Sequence, residues 1–459
     1  MKLTRRQFIA GTSAFVISTP AIGAMTPENQ KLVAKAGSVQ LLPGQYPKTE
    51  IWGYGGHTPG PELRLRQGAR IRRDFVNLLP QASTVHWHGI RIDNKMDGVP
   101  ELTQTVVRPN NSFTYDFVVP DAGTYWYHPH NKTSEQMARG LYGALIVEEN
   151  NPPEVDTDET LIIDDWRLDK TGQINDSFEA VMDMSHGGRL GNWLTVNGEA
   201  SYSRTVKKNE RLRLRLINSS NSRIFSLNLK GLTGWVIALD GQPLDTPTSI
   251  KQLVLAPAQR IDLIVDVSAL EGETAHVYSI GREGQHQIVG FTVDGIKRHS
   301  MLPTPRALPA NPVLPIDPKT NPQKVSLRME GGAMGRMRGA RMGGEMMGMR
   351  QLVNAGKVWA FNGRVDMPDS PLIDAQRGKT VQIEMINETG WPHAMHLHGF
   401  HFRQVYLNGK MGPLRDTLLM DGNTTATIAF IADNPGKWLL HCHMLEHASS
   451  GMTTWIHVN

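Results

Sequence analysis

Three stretches of this chain share one design, and that repeat limits its possible folds more than any other feature. Residues 68–89, 209–229 and 378–399 each run through a polar turn, an alternating strand ending in Asn, and a second strand. His86 and His88 stand nine and eleven residues after Asn77, and His396 and His398 stand nine and eleven after Asn387. In the middle copy the same offsets from Asn218 fall on Leu227 and Leu229. A unit repeated in this way marks stacked copies of one small fold. Residues two apart on a strand share a face, so each histidine pair points one way.

A second repeat joins the outer copies. Asp121-Ala122-Gly123-Thr124-Tyr125-Trp126-Tyr127-His128-Pro129-His130 parallels Asn434-Pro435-Gly436-Lys437-Trp438-Leu439-Leu440-His441-Cys442-His443, with the first His five residues after Gly in both. Cys442 is the only cysteine. On a strand it faces away from His441 and His443. Were the histidines to hold one metal centre and the thiolate another, a few backbone bonds would join the two.

Between these motifs the local pattern is β. Runs such as 70–76 and 211–217 alternate and are bounded by Gly, Pro and Asn, and long amphipathic helices are scarce. Their arginines are expected on solvent faces. An all-β chain of stacked β-sandwiches follows, with domain 1 at 25–150, domain 2 at 155–300, a Pro-rich linker at 301–322 and domain 3 at 323–459. Residues 1–24 read as a twin-arginine (Tat) export signal, with Arg5-Arg6 before an apolar run too short to span a bilayer. The chain is therefore expected to meet the Tat translocase, to be periplasmic, to have no stable membrane insertion and to be a monomer. Three of the positive charges behind the formal net charge of +4 are Lys2, Arg5 and Arg6 of that signal. This excludes a charge-driven nucleic-acid partner. A lone cysteine forms no intramolecular disulfide, and metal ligation gives a free thiol a reason to persist in an oxidising compartment.

Eight paired histidines, His86, His88, His128, His130, His396, His398, His441 and His443, are too many for one ion. Imidazole suits copper, iron and zinc, and three coppers fit: two with three imidazoles each and a third with two. In the third copy alone, His393, Cys442, His447 and Met452 make two His, one Cys and a distant Met, the ligand set of a blue-copper site. The matching first-copy residues are Ser83, Pro129, Ser134 and Arg139.

With His-Trp-His-Gly at 86–89, His-Pro-His at 128–130, His-x-x-His-x-His-Gly at 393–399 and His-Cys-His-x3-His-x4-Met at 441–452, the chain resembles three-domain multicopper oxidases of the laccase and copper-efflux-oxidase kind. The resemblance covers essentially all of the mature chain. It implies three consecutive cupredoxin-like Greek-key β-sandwich domains, four coppers per chain, and reduction of O2 to water by electrons collected singly. It assigns His393, Cys442, His447 and Met452 to type 1 copper, His86 and His396 to type 2, and His88, His128, His130, His398, His441 and His443 to the type 3 pair. Asp97, eleven residues after His86, falls where the family keeps a proton-carrying acid. Two departures stand out. Pro392 precedes His393, where the family usually has Pro after it. Ala448 follows His447, where many relatives carry Glu, although Glu446 precedes it.

The reductant is read from residues 329–349, which hold Met329, Met334, Met337, Met342, Met346, Met347 and Met349. Thioethers favour Cu(I). The resemblance to copper efflux oxidases makes Met337, Met342, Met346 and Met349 the expected soft ligands, and a cuprous oxidase for copper tolerance the expected role. A metal-free lid is the local alternative, because Arg328, Arg336, Arg338, Arg341 and Arg350 outnumber Glu330 and Glu345. A laccase oxidising phenols or aromatic amines at the exposed edge of His447 or His393 is the rival enzyme. A non-catalytic scaffold or copper store is the rival outside enzymes, and a full ligand set argues against it. His57, His186, His276, His286, His299, His401 and His457 are read as surface or structural.

Overall fold

The computed structural model describes residues 30–281, 284–317 and 321–459, so the twin-arginine segment at 1–24 lies outside the described residues. Three β-sandwiches follow one another. The first packs a four-stranded sheet (Thr49–Tyr54, Lys31–Val39, Arg70–Asn77, Ser112–Val118) on another (Leu63–Arg66, Gly143–Glu148, Gly123–His128, His86–His88). The second and third each pack a six-stranded sheet on a five-stranded one. One wiring recurs. The first long strand of each sandwich pairs parallel with the strand that ends in Asn: Lys31–Val39 with Arg70–Asn77, Thr157–Trp166 with Arg211–Asn218, and Gln323–Gly331 with Thr380–Asn387. Sequential neighbours that are not sheet neighbours give the Greek-key crossing.

The repeated Asn does the same work in each copy. Asn77 donates to the carbonyls of Gln81 and Val107 and accepts from Leu79 N–H. Asn218 donates to Arg223 and Leu255 and accepts from Ser220 N–H. Asn387 donates to Trp391 and Asp421 and accepts from Thr389 N–H. One buried amide thus closes the turn that follows its strand and ties it to a second segment. Its bonds satisfy backbone groups that would otherwise be buried unpaired.

The strand Arg211–Asn218 corrects the expectation of solvent-facing arginines. Arg211, Arg213 and Arg215 are buried. Arg211 forks onto Asp266 at 2.7 and 2.8 Å, and Arg213 binds both oxygens of Glu149 and Asp262. Arg215 binds Asp158 and the Thr124 hydroxyl. The alternation is real, but the polar face is roofed by acids and by residues of the first sandwich. The linker also binds that sandwich, where Asn311 exchanges two 2.8 Å hydrogen bonds with the Ala122 backbone. Among the described residues, no helix is long and apolar enough to cross a membrane.

Candidate metal centre

Strand register builds the histidine cluster. His86–His88 pairs antiparallel with Gly123–His128, setting His86 opposite His128. In the third sandwich, His393–Leu397 pairs with Gly436–Cys442, setting His396 opposite His441 and Met395 opposite Cys442. Met395, Leu397 and Cys442 point into the apolar core, so His396 and His441 point out of it. The outward faces of the first and third sandwiches meet. The ring of His88 stacks on His396 at 3.7 Å between centroids, and His86 stacks on His398 at 3.9 Å. Three sets of donor atoms each gather within 4.8 Å: His86, His88 and His396; His88, His128 and His443; His130, His398 and His441.

Most of the rings are oriented by their other nitrogen. Nδ1–H of His86, His128, His396 and His441 donates to the carbonyls of Asp97, Pro129, Asp416 and Cys442, at 2.8–2.9 Å. Their Nε2 lone pairs are left facing inward, the usual role of a carbonyl behind a metal-binding imidazole. His88 is reversed, with Nε2 3.3 Å from Asp416 Oδ1 and Nδ1 3.4 Å from His128 Nε2. Inside the cluster, ring nitrogens face ring nitrogens: His398 to His441 at 3.2 Å and His443 to His128 at 3.4 Å. Nε2 of His86, His130 and His396 is buried with no protein partner. Buried unpaired nitrogens are costly, and a cation that accepts these lone pairs removes the cost. Burial, reinforced by neighbouring imidazoles, lowers the pKa of His88, His128, His398, His441 and His443 and puts His130 at about 3. These six rings are therefore held neutral at pH 7, the form that binds metal.

On the opposite face of the strand, Cys442 Sγ lies 3.6 Å from His393 Nδ1 and 3.8 Å from His447 Nδ1, and the two nitrogens are 3.0 Å apart. Met452 is buried in the same apolar cluster, and its N–H and carbonyl bond to His447 and Cys442 backbone groups. Trp359 packs against both imidazoles, at 5.1 and 4.5 Å. Burial pushes the Cys442 thiol up to about 12, so a thiolate here needs a cation beside it. Neither His393 nor His447 has an exposed edge, which corrects the sequence expectation. Both are 0 % exposed, because Nε2 of His393 meets the Thr389 hydroxyl at 2.9 Å and Nε2–H of His447 donates to the His186 carbonyl at 2.7 Å.

The carboxylates divide. Asp97 sets its side chain 3.0 and 3.2 Å from His398 Nδ1. Asp416, which sequence reasoning missed, faces both His88 and His396 and is gripped by Arg260 of the second sandwich. Burial opposes its ionisation, but Arg260 and the hydrogen bonds from His396 and His88 outweigh it and hold the carboxyl well below its ordinary range. Glu446 turns away from the histidines onto Asn221, Ser222 and Arg189 N–H. His401, read as structural, is buried with Nε2 3.9 Å from Asp416. The methionine segment forms a hairpin, Gly339–Met342 with Glu345–Gly348. Met337, Met342, Met347 and Met349 pack on Ala340, Leu352, Ala360 and Val365. Met346 is 70 % and Met334 is 92 % exposed.

Comparison with known proteins agrees with this geometry. Multicopper oxidase family models match residues 35–152, 117–287 and 345–459. Lac15 from a marine microbial metagenome is 40 % identical, with a TM-score of 0.76, covering 93 % of this chain and 99 % of that one. A multi-copper oxidase from Pseudomonas Thermotolerans is 32 % identical, with a TM-score of 0.81 and 94 % and 98 % coverage. The multicopper oxidase mco of Staphylococcus haemolyticus is 27 % identical over 94 % of this chain and 88 % of its own length. With two ligand faces meeting between its outer sandwiches and these relatives along its length, the chain belongs to the multicopper oxidase family, as an oxidoreductase of cupredoxin-like fold whose cofactor is copper, four per chain.

Proposed function

We propose that the protein is an exported oxidase that takes single electrons from a small aromatic donor and passes them to O2. In this reading His393, Cys442, His447 and Met452 hold type 1 copper and His86 and His396 hold type 2. His88, His128, His130, His398, His441 and His443 hold the type 3 pair. One observation carries the choice of donor. An open groove of about 1110 Å³, walled by Trp391, His186, Leu190 and Ile288, lies beside the His447 side of the site, a size and lining suited to an organic ligand.

When bound, copper supplies the one-electron relay and the four-electron chemistry that turns O2 into two waters. The chain supplies the rest. Cys442 shares a strand with His441, and His443 follows it, so a few covalent bonds join the two ligand faces. The carbonyls behind His86, His128, His396 and His441 fix which nitrogen faces inward. Asp97 holds a proton-accepting carboxylate beside His398. Burial keeps bulk water from both ligand sets, with His130 half-buried and its Nε2 covered.

Cu(I) oxidation in periplasmic copper tolerance is the second reading, favoured by the exposed thioethers of Met334 and Met346. Oxygen uptake by the copper-loaded protein separates the two. Fast uptake with 2,6-dimethoxyphenol that survives removal of residues 339–348 supports the aromatic donor. Uptake with chelated Cu(I) alone, lost with the hairpin, overturns it. A copper content near one per chain would instead mark a copper store. Replacing Arg5 and Arg6 by Lys is expected to abolish export, read as loss of protein from the periplasmic fraction.

A further inference from the structure

Between the groove and His447 lies a strip of the second sandwich, residues 186–189. We propose that the reductant docks on this strip rather than on a copper-binding histidine, that its electron reaches His447 through the His186 peptide, and that Glu446 is the positioning residue that holds the strip in place. The inference rests on the aromatic-donor reading above.

The outward nitrogen of His447 is where a donor would make contact were the ring exposed. Here it is spent on the His186 carbonyl, 2.7 Å away. That hydrogen bond is a direct link from the groove wall to the buried imidazole. The wall itself is aromatic, for the His186 ring meets Trp391 edge-on at 5.2 Å between centroids. Met182 and Leu190 at the rim are 67 % and 43 % exposed. A flat ring seated there lies one peptide group from the ligand set.

Three ties hold the strip. Glu446, the residue before His447, accepts hydrogen bonds from Arg189 N–H at 3.0 Å, the Ser222 hydroxyl at 2.8 Å and Asn221 Nδ2 at 2.9 Å. Gly188 sits at φ +78°, and a Cβ there would come within 1.9 Å of Ser222 Oγ, so the strip passes where only glycine fits. The short helix before it, Val181–Ser185, gives its Met184 carbonyl to the Trp359 indole at 2.5 Å, and that indole packs on both His393 and His447. The carboxylate therefore fixes the distance between the docking wall and the imidazole from the residue next to that imidazole.

The chemistry balances simply. A phenol gives up one electron, which passes along the strip and through His447 on its way to O2, and gives its O–H proton to groove water, leaving a phenoxyl radical. Four such events supply the four electrons that O2 needs to become two waters.

The test uses copper-loaded full-length protein, with 1,2-dimethoxybenzene as a redox-inert probe read by calorimetry and 2,6-dimethoxyphenol as substrate. His186→Ala keeps the carbonyl and removes the ring. It is expected to weaken probe binding and raise KM about tenfold, with the visible type 1 absorption unchanged. Met182→Asp, at the exposed rim, is expected to do the same without a folding burden. Glu446→Gln cannot accept all three hydrogen bonds. It is expected to lower kcat for dimethoxyphenol and for ferrocyanide alike and to shift the visible band, with KM little moved. Unchanged probe affinity and KM in both groove variants, with dimethoxyphenol still oxidised, would overturn the docking proposal. A Glu446→Gln protein with the wild-type band and kcat would overturn the positioning role. If the wild type oxidises chelated Cu(I) but no phenol, the aromatic-donor reading has failed and the inference falls with it.

Discussion

Asp97 meets two histidines of the cluster at once: its carbonyl takes Nδ1–H of His86, and its carboxylate faces Nδ1 of His398. Asp97→Asn keeps the first contact and loses the charge. Steady-state turnover is expected to fall about 10- to 100-fold, with the visible absorption intact. Cys442→Ser should erase that absorption and all donor oxidation, while copper analysis still finds metal on the histidine-only cluster. A second acid tells a different story. Asp164 is buried beside Asp165, and burial first, then that neighbour, raises its carboxyl to about 8. The folded state therefore binds a proton that the unfolded state releases near pH 4. Stability from this group is full below pH 4 and is lost as pH rises towards 8. Asp164→Asn should raise the midpoint of thermal unfolding by a few degrees at pH 8 and leave it unmoved at pH 4. At this scale the gathering of the histidines and the thiol was legible, because imidazoles and a thiol at fixed offsets have few other uses. Asp416 was not, since a single Asp after Arg415 carries no spacing signal, and its partners His88 and Arg260 come from the other two sandwiches.

The recurring Asn explains why one strand-and-turn unit reads the same in three places. Asn218→Ala is expected to cost about 1–3 kcal/mol, read by denaturant unfolding, with copper content unchanged because no ligand follows it. Asn387→Ala should cost as much and also shift the visible band, because its amide orders Thr389, whose hydroxyl meets His393. Strands were legible from alternation and from Gly, Pro and Asn at their ends. What covers each face was not. Arg211, Arg213 and Arg215 alternate as solvent-facing residues would, yet every one meets a buried acid. The methionine segment shows the same limit, because composition reports seven thioethers and the fold turns several of them into packing for a small apolar cluster.

Across the whole molecule, the sandwich that adds no histidine to the cluster serves the other two. Arg260 reaches from it to Asp416 of the third and to the Thr124 carbonyl of the first. Arg260→Met leaves a buried carboxylate unpaired, with an expected loss of about 3–5 kcal/mol and a changed type 2 signal in electron paramagnetic resonance. The division of ligands between the two ends of the chain has a consequence in time. Each all-histidine triad among the described residues draws on both the first and the third sandwich. A nascent chain that has passed His130 owns four of the cluster's imidazoles and no complete triad, and it must wait more than 250 residues for His396. At synthesis rates of roughly 5–20 residues per second, the all-histidine triads stay incomplete for tens of seconds and close only when the last-made strands come home to the first.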